Sequence, residues 1–139
     1  MTESQDPKVL EFRMQRLRKA PRNWTYWVAG FTAANGLFLA MQHDFMILAG
    51  LVSPFAIPGT APHLIAAAVL GAIAYFSSRF PRLLVLSLVI YFADMLFAAY
   101  AELWSGLVMH LVVLTFVGFS FLGIRSLKAL QAQQNRVGA

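Results

Sequence analysis

The sequence predicts an all-α integral membrane protein: a bundle of four transmembrane helices with both termini cytoplasmic, preceded by a short basic amphipathic helix at the interface. Three observations lead there. Of 139 residues, 59% are apolar and only 12% charged, against about a quarter charged in soluble domains. The charges gather at the two ends and in short gaps between long apolar runs. Threading those runs four times through a bilayer puts all eleven Lys and Arg on one side, which the positive-inside rule makes cytoplasmic. Three or five crossings would leave Arg79 and Arg82, or the tail, on the wrong face.

Residues 1–22 read as a cytoplasmic basic arm. Asp6-Pro7 has the pattern of a helix start. Leu10, Met14 and Leu17 then share a face, with Lys8, Arg16, Arg18 and Lys19 around the rest and Phe12 off the stripe. That predicts a helix lying on the membrane surface, ended by Pro21. No apolar core that a signal peptidase would recognise appears there.

The transmembrane domain, 23–124, follows. Its first span covers about 24–42 and opens on an aromatic belt of Trp24, Tyr26 and Trp27. Residues 45–59 are apolar but broken by Pro54 and Pro58, and read as a segment that dips into or lies on the outer face, or prolongs the first helix. The other spans cover about 62–78, 83–100 and 105–124, each near the length that crosses an apolar core of about 30 Å. Arg79-Phe80-Pro81-Arg82 links the second and third, and a tight turn at 101–104 links the third and fourth. The tail, 125–139, continues as helix for some turns and frays at Gly138-Ala139.

Helices associate in lipid through close backbone approach and polar contacts, so stripes of small residues mark inward faces. They are Thr25, Ala29, Thr32, Gly36 and Ala40, continued by His43, in the first span; His63, Ala67, Gly71, Ala74 and Ser78 in the second. The third has Ser87, Tyr91, Asp94 and Ala98, and the fourth Gly106, His110 and then valines. These stripes gather His43, His63, Asp94 and His110 in the outer half of the bundle, with Asp44 and Glu102 just above. At about 1.5 Å per residue, Asp94 and His110 lie at similar depth on consecutive helices and are placed to meet.

Asp94 carries the strongest functional signal, since an aspartate within a span costs about 2.5–3.5 kcal/mol on insertion scales. Its functional reading is a proton carrier, metal ligand or cation site. Its structural reading is a buried hydrogen bond to Tyr91, His110 or another helix. His43, His63, Asp94 and His110 together form a donor set suited to a transition metal, and two histidines on facing helices suit a b-type haem. Asn35, mid-span, reads as an interhelical hydrogen-bonding residue.

Absences narrow the field. With no cysteine, disulfides, thiolate metal sites and thiol catalysis are excluded. No phosphate loop, HExxH pair or nucleophile elbow occurs, so an enzyme is the less favoured class. The net charge of +5 follows from insertion and implies no nucleic-acid partner. Three functions remain: an accessory or structural subunit of a bacterial inner-membrane assembly, a metal- or haem-binding protein, and an oligomeric proton-linked transporter or channel subunit. The partners expected are the lipid bilayer, other membrane subunits, or further copies of the chain.

Overall fold

The computed structural model describes residues 7–43 and 45–137, and among them all regular structure is helical. The helices are α1 (Pro7–Ala40), α2 (Ala61–Phe76), α3 (Leu83–Tyr100) and α4 (Trp104–Val137), with a short 3-10 helix at Ser53–Ala56 between α1 and α2. The expected cap at Asp6, the acid Asp44 and the frayed Gly138-Ala139 lie outside the described residues. α1 packs against α2 and α4, and α3 closes the ring against the same two neighbours. Trp24 stacks on Phe116 of α4 at 6.0 Å, and Thr25 meets Ser87 of α3 at 3.2 Å. These contacts put the first half of α1, the turn before α3 and the second half of α4 at one end, which therefore carries the basic residues.

α3 and the Trp104–Gly123 part of α4 are each long and apolar enough to cross a membrane, with mean hydropathy 2.1 and 2.0. Only 33% and 28% of these stretches are buried, so most of their apolar side chains face outward. α2 is apolar but shorter, at 16 residues. α1 is less apolar because the six cations of the arm lie in its first half, and its buried face carries Thr25, Thr32 and Asn35.

The basic arm is not a separate surface helix, contrary to the sequence expectation. Pro21 lies inside α1, which runs unbroken for 34 residues. An interior proline costs a helix about 3 kcal/mol, and packing on both sides offsets it. Met14 is buried, and a Cβ on Gly123 of α4 would stand 2.9 Å from Leu17 Cδ1. The arm thus lies along the second half of α4.

The inward stripe of α2 also differs from expectation. Its buried side chains are His63, Leu70, Ile73, Ala74 and Ser77, whereas Ser78 is exposed. Stepping by four in three steps out of four drifts round a helix of 3.6 residues per turn; the true face alternates threes and fours. On α4 that alternation runs Gly106, His110, Val113, Val117 and Ser120, all buried.

α1 and α3 end alike. Gln42 and Glu102 adopt left-handed φ angles of 57° and 58°. The next residue of each donates its N–H five residues back, His43 to Phe38 O at 2.9 Å and Leu103 to Ala98 O at 2.9 Å. Such Schellman turns normally use glycine; here they reverse the chain without one.

Gly50 marks the tightest approach of the 45–59 segment to α1. A Cβ there would lie 2.8 Å from Thr32 N and 2.9 Å from Phe31 C, both backbone atoms. Gly50→Ala should therefore lower stability by about 1–3 kcal/mol, the usual cost of overpacking. Gly30→Ala and Gly71→Ala, with open space at both positions, should be neutral or stabilising. Equilibrium unfolding of the three variants in one detergent checks the contrast.

Candidate functional site

Residues 45–56 fold back into the bundle between α1 and α3. Ala49, Leu51 and Val52 are buried, Val52 completely, and the backbone before Ser53 has no helix to satisfy it. A buried N–H or C=O without a partner costs about as much as a lost hydrogen bond. Side chains from the neighbouring helices supply the partners.

From α1, Asn35 pairs with Ile47 in both directions. Its Nδ2 donates to Ile47 O at 3.0 Å, and Ile47 N–H donates to its Oδ1 at 2.6 Å. One turn earlier, Thr32 Oγ1 accepts from Leu51 N–H at 2.8 Å while donating to Val28 O at 2.8 Å. From α3, the Tyr91 hydroxyl donates to Ala49 O at 3.1 Å. Asp94 receives Val52 N–H on Oδ2 at 2.9 Å and Ser53 N–H on Oδ1 at 2.7 Å. Those two N–H groups open the 3-10 helix, whose own N-cap residue, Val52, offers no side-chain cap. Asp94 caps it from another helix.

His110 of α4 completes the arrangement. Its Nε2 lies 2.7 Å from Asp94 Oδ2 and its Nδ1 2.7 Å from Gly106 O. A carbonyl only accepts, so Nδ1 carries a proton. A second proton lies between Nε2 and Oδ2, because two lone pairs would not approach that closely. Imidazolium with carboxylate, or imidazole with carboxylic acid, is neutral overall; the pair places no net charge in the interior. The His110 ring stacks on Tyr91 at 4.3 Å and 13°, so the groups that hold the segment also hold one another.

The four residues expected to gather around a metal do not all meet. Asp94 and His110 touch. His43 is exposed beyond the end of α1. His63 is completely buried, with Phe55 edge-on at 4.3 Å and the Gly59 main chain as the polar group beside it. It sits against α1 where Gly36 makes room, a Cβ there falling 2.8 Å from His63 Cβ. Among the described residues no three His, Asp or Glu lie close enough to share a metal ion. For haem, both nitrogens of His110 are already engaged.

Sequence reading did not identify the partner of these polar side chains, which is main chain. Thr32 appeared there only as a small residue in a stripe. It also missed a cleft on the basic side of the Tyr91–His110 layer. This cleft is narrow, with a cavity volume of about 20 Å³ between side chains of all four helices. Val28, Leu70, Leu88 and Val113 form much of its wall, with Thr25 and Ser87 towards the basic end and Tyr91 at the other.

No family model matches the chain, and searches of curated proteins and of solved structures return no similar one.

Asp94→Asn retains one acceptor oxygen where three donors converge, and removing one partner of a buried pair costs about 3–5 kcal/mol. The chain has no cysteine, so Val52→Cys serves as a reporter of segment release. Its thiol should be shielded from maleimide in the parent and react at least tenfold faster with Asp94→Asn, about the change that 1.4 kcal/mol of opening free energy gives.

Proposed function

We propose that this chain is a four-span membrane protein with both termini cytoplasmic, and that it serves as an accessory or structural subunit of a larger membrane assembly. The carrying observation is that the conspicuous polar side chains of the interior are committed to the chain's own fold. Asn35, Thr32, Tyr91 and Asp94 bind the backbone of residues 47–53, and His110 binds Asp94.

The four-span reading rests on how α1 and α2 depart from simple apolar helices. The six cations of α1 all precede Trp24, and Thr25, Thr32 and Asn35 in the remainder face inward, where they cost little once bonded. α2 rises about 24 Å at 1.5 Å per residue, short of a full apolar core but flanked by loop on both sides. The basic residues at one end fit the positive-inside rule, and a bacterial inner membrane suits this arrangement.

A proton carrier needs a group that exchanges partners and reaches water. Asp94 has three donors around it and a side chain 1% exposed. A metal site needs unengaged lone pairs, and at this layer Asp94 and His110 are fully engaged with each other and with main chain. Contact surface remains. Val89, Phe92 and Leu96 on α3 and Val112, Phe116 and Phe119 on α4 face outward, and these apolar faces suit both lipid and a neighbouring subunit.

Two measurements test the proposal. In intact cells, Met41→Cys and Glu102→Cys should react with an impermeant maleimide and Lys19→Cys and Arg79→Cys should not; the reverse pattern rejects the orientation. Untagged protein solubilised in mild detergent should carry a second protein at fixed stoichiometry. A monodisperse species without one rejects the accessory role.

A further inference from the structure

We infer that the outward face of the first half of α1, with Phe12 beside Arg16 and Lys19, docks an acidic segment of a partner protein that carries an apolar side chain. The inference rests on the accessory-subunit reading above and deepens it by naming the surface and the chemistry of the partner.

Packing on the other side of the helix fixes this face. Met14 and Pro21 are buried, and Leu17 lies against Gly123 of α4, so this part of α1 is not free to roll. At 3.6 residues per turn, Lys8, Phe12, Arg16, Lys19 and Asn23 fall within about a quarter of the circumference, opposite Met14, Leu17 and Pro21. All five are exposed, Phe12 to 63%. The Arg16 guanidinium stands over the Phe12 ring, 5.9 Å from its centroid, within reach of a cation–π contact. One stripe thus presents an aromatic ring with cations along the helix and no carboxylate. Aromatic side chains and arginine are enriched where proteins meet.

Lipid does not reach this face. Phe12 precedes Trp24, which opens the aromatic belt, by about 18 Å of helix at 1.5 Å per residue. A tilt of about 40°, the upper end for membrane helices, still leaves about 14 Å. The headgroup layer outside the apolar core is only about 5–8 Å deep on each side. A second copy presents the same cations, so pairing through this face opposes like charges. Nucleic acid would bring its phosphates against Glu11, exposed beside the ring. A protein segment suits all of these groups. It supplies carboxylates for Arg16 and Lys19, an apolar side chain for Phe12, and a cation for Glu11.

Gln15, exposed between Phe12 and Lys19, takes a photoprobe without removing any of the three docking side chains. The full chain with Gln15→p-benzoylphenylalanine is irradiated in its native membranes, and the adduct is mapped to its residues. It should lie in a segment of another protein where Asp and Glu outnumber Lys and Arg. Arg16→Gln with Lys19→Gln should lower the yield at least threefold, about the change that two exposed ion pairs of ordinary strength give. Phe12→Ser should lower it as well. Arg79→Gln with Arg82→Gln removes the same charge from the basic side away from the stripe and should leave the yield unchanged. An adduct to lipid, to nucleic acid, to a second copy or to a protein segment without excess acid overturns the inference. Equal loss in the two double variants overturns it too. Co-purification in mild detergent separates the docking face from the accessory role itself. A stoichiometric partner with no protein adduct at Gln15 overturns the docking face and leaves the accessory role standing; no partner and no adduct overturn both.

Discussion

The constraint on which this structure depends is that a stretch of non-helical backbone lies inside a helix bundle. The packed interior of a helix bundle offers such a segment no water, so its backbone groups must be satisfied by protein. Residues 47–53 have that support from two helices. α1 contributes the Asn35 amide and the Thr32 hydroxyl, and α3 contributes the Tyr91 hydroxyl and the Asp94 carboxylate. Thr32 and Asn35 on α1 and the aspartate of α3 then have one explanation. Gly50 belongs to it as well, since the segment reaches Thr32 only where no side chain stands between it and the backbone of α1.

Asp94 does the most demanding part of this work, because an unpaired carboxylate inside the bundle would oppose it. His110 resolves the conflict with one proton. Held by Gly106 O on one side and Tyr91 stacking on its face, the imidazole presents a donor to the carboxylate and leaves the pair neutral. The chain thereby obtains a cap with two acceptor oxygens at the start of the 3-10 helix without placing a net charge in the bundle interior. A neutral asparagine has only one such oxygen, which is a physical reason for an acid at this position. The same saturation argues against chemistry at the site: a group that already satisfies three donors has little capacity to take a substrate or an ion.

Much of this was legible in the sequence and some was not, for identifiable reasons. The limits of α3 follow from Pro81 before it and from the loss of apolar residues at Glu102 after it. The meeting of Asp94 and His110 follows from helix rise and a tight turn. Their role was hidden, because the partner is main chain and a backbone amide has no letter in a sequence. The prolines at 54 and 58 signalled that residues 45–59 were irregular, but depth cannot be read from irregularity. Pro21 misled in the other direction. A proline commonly ends a helix, and only the contact between Leu17 and Gly123, more than a hundred residues apart, shows why this one does not. His63 was read with the other histidines for its chemistry, whereas its surroundings are Phe55 and the gap left by Gly36.

The two halves of the bundle solve their packing differently, and the difference bears on what the protein meets. On the side away from the basic residues, the space between α1 and α3 is filled by the chain itself, and its donors and acceptors are matched within the fold. On the basic side no segment returns. Thr25 and Ser87 close on each other, and Trp24, Val28, Leu70 and Val113 line a narrow cleft beside them. The first half is complete as it stands. The second is closed by side chains alone, with no main chain to satisfy. Returning backbone needs polar side chains to satisfy it and side-chain packing does not, which is why Asn35, Asp94 and His110 all lie in the first half.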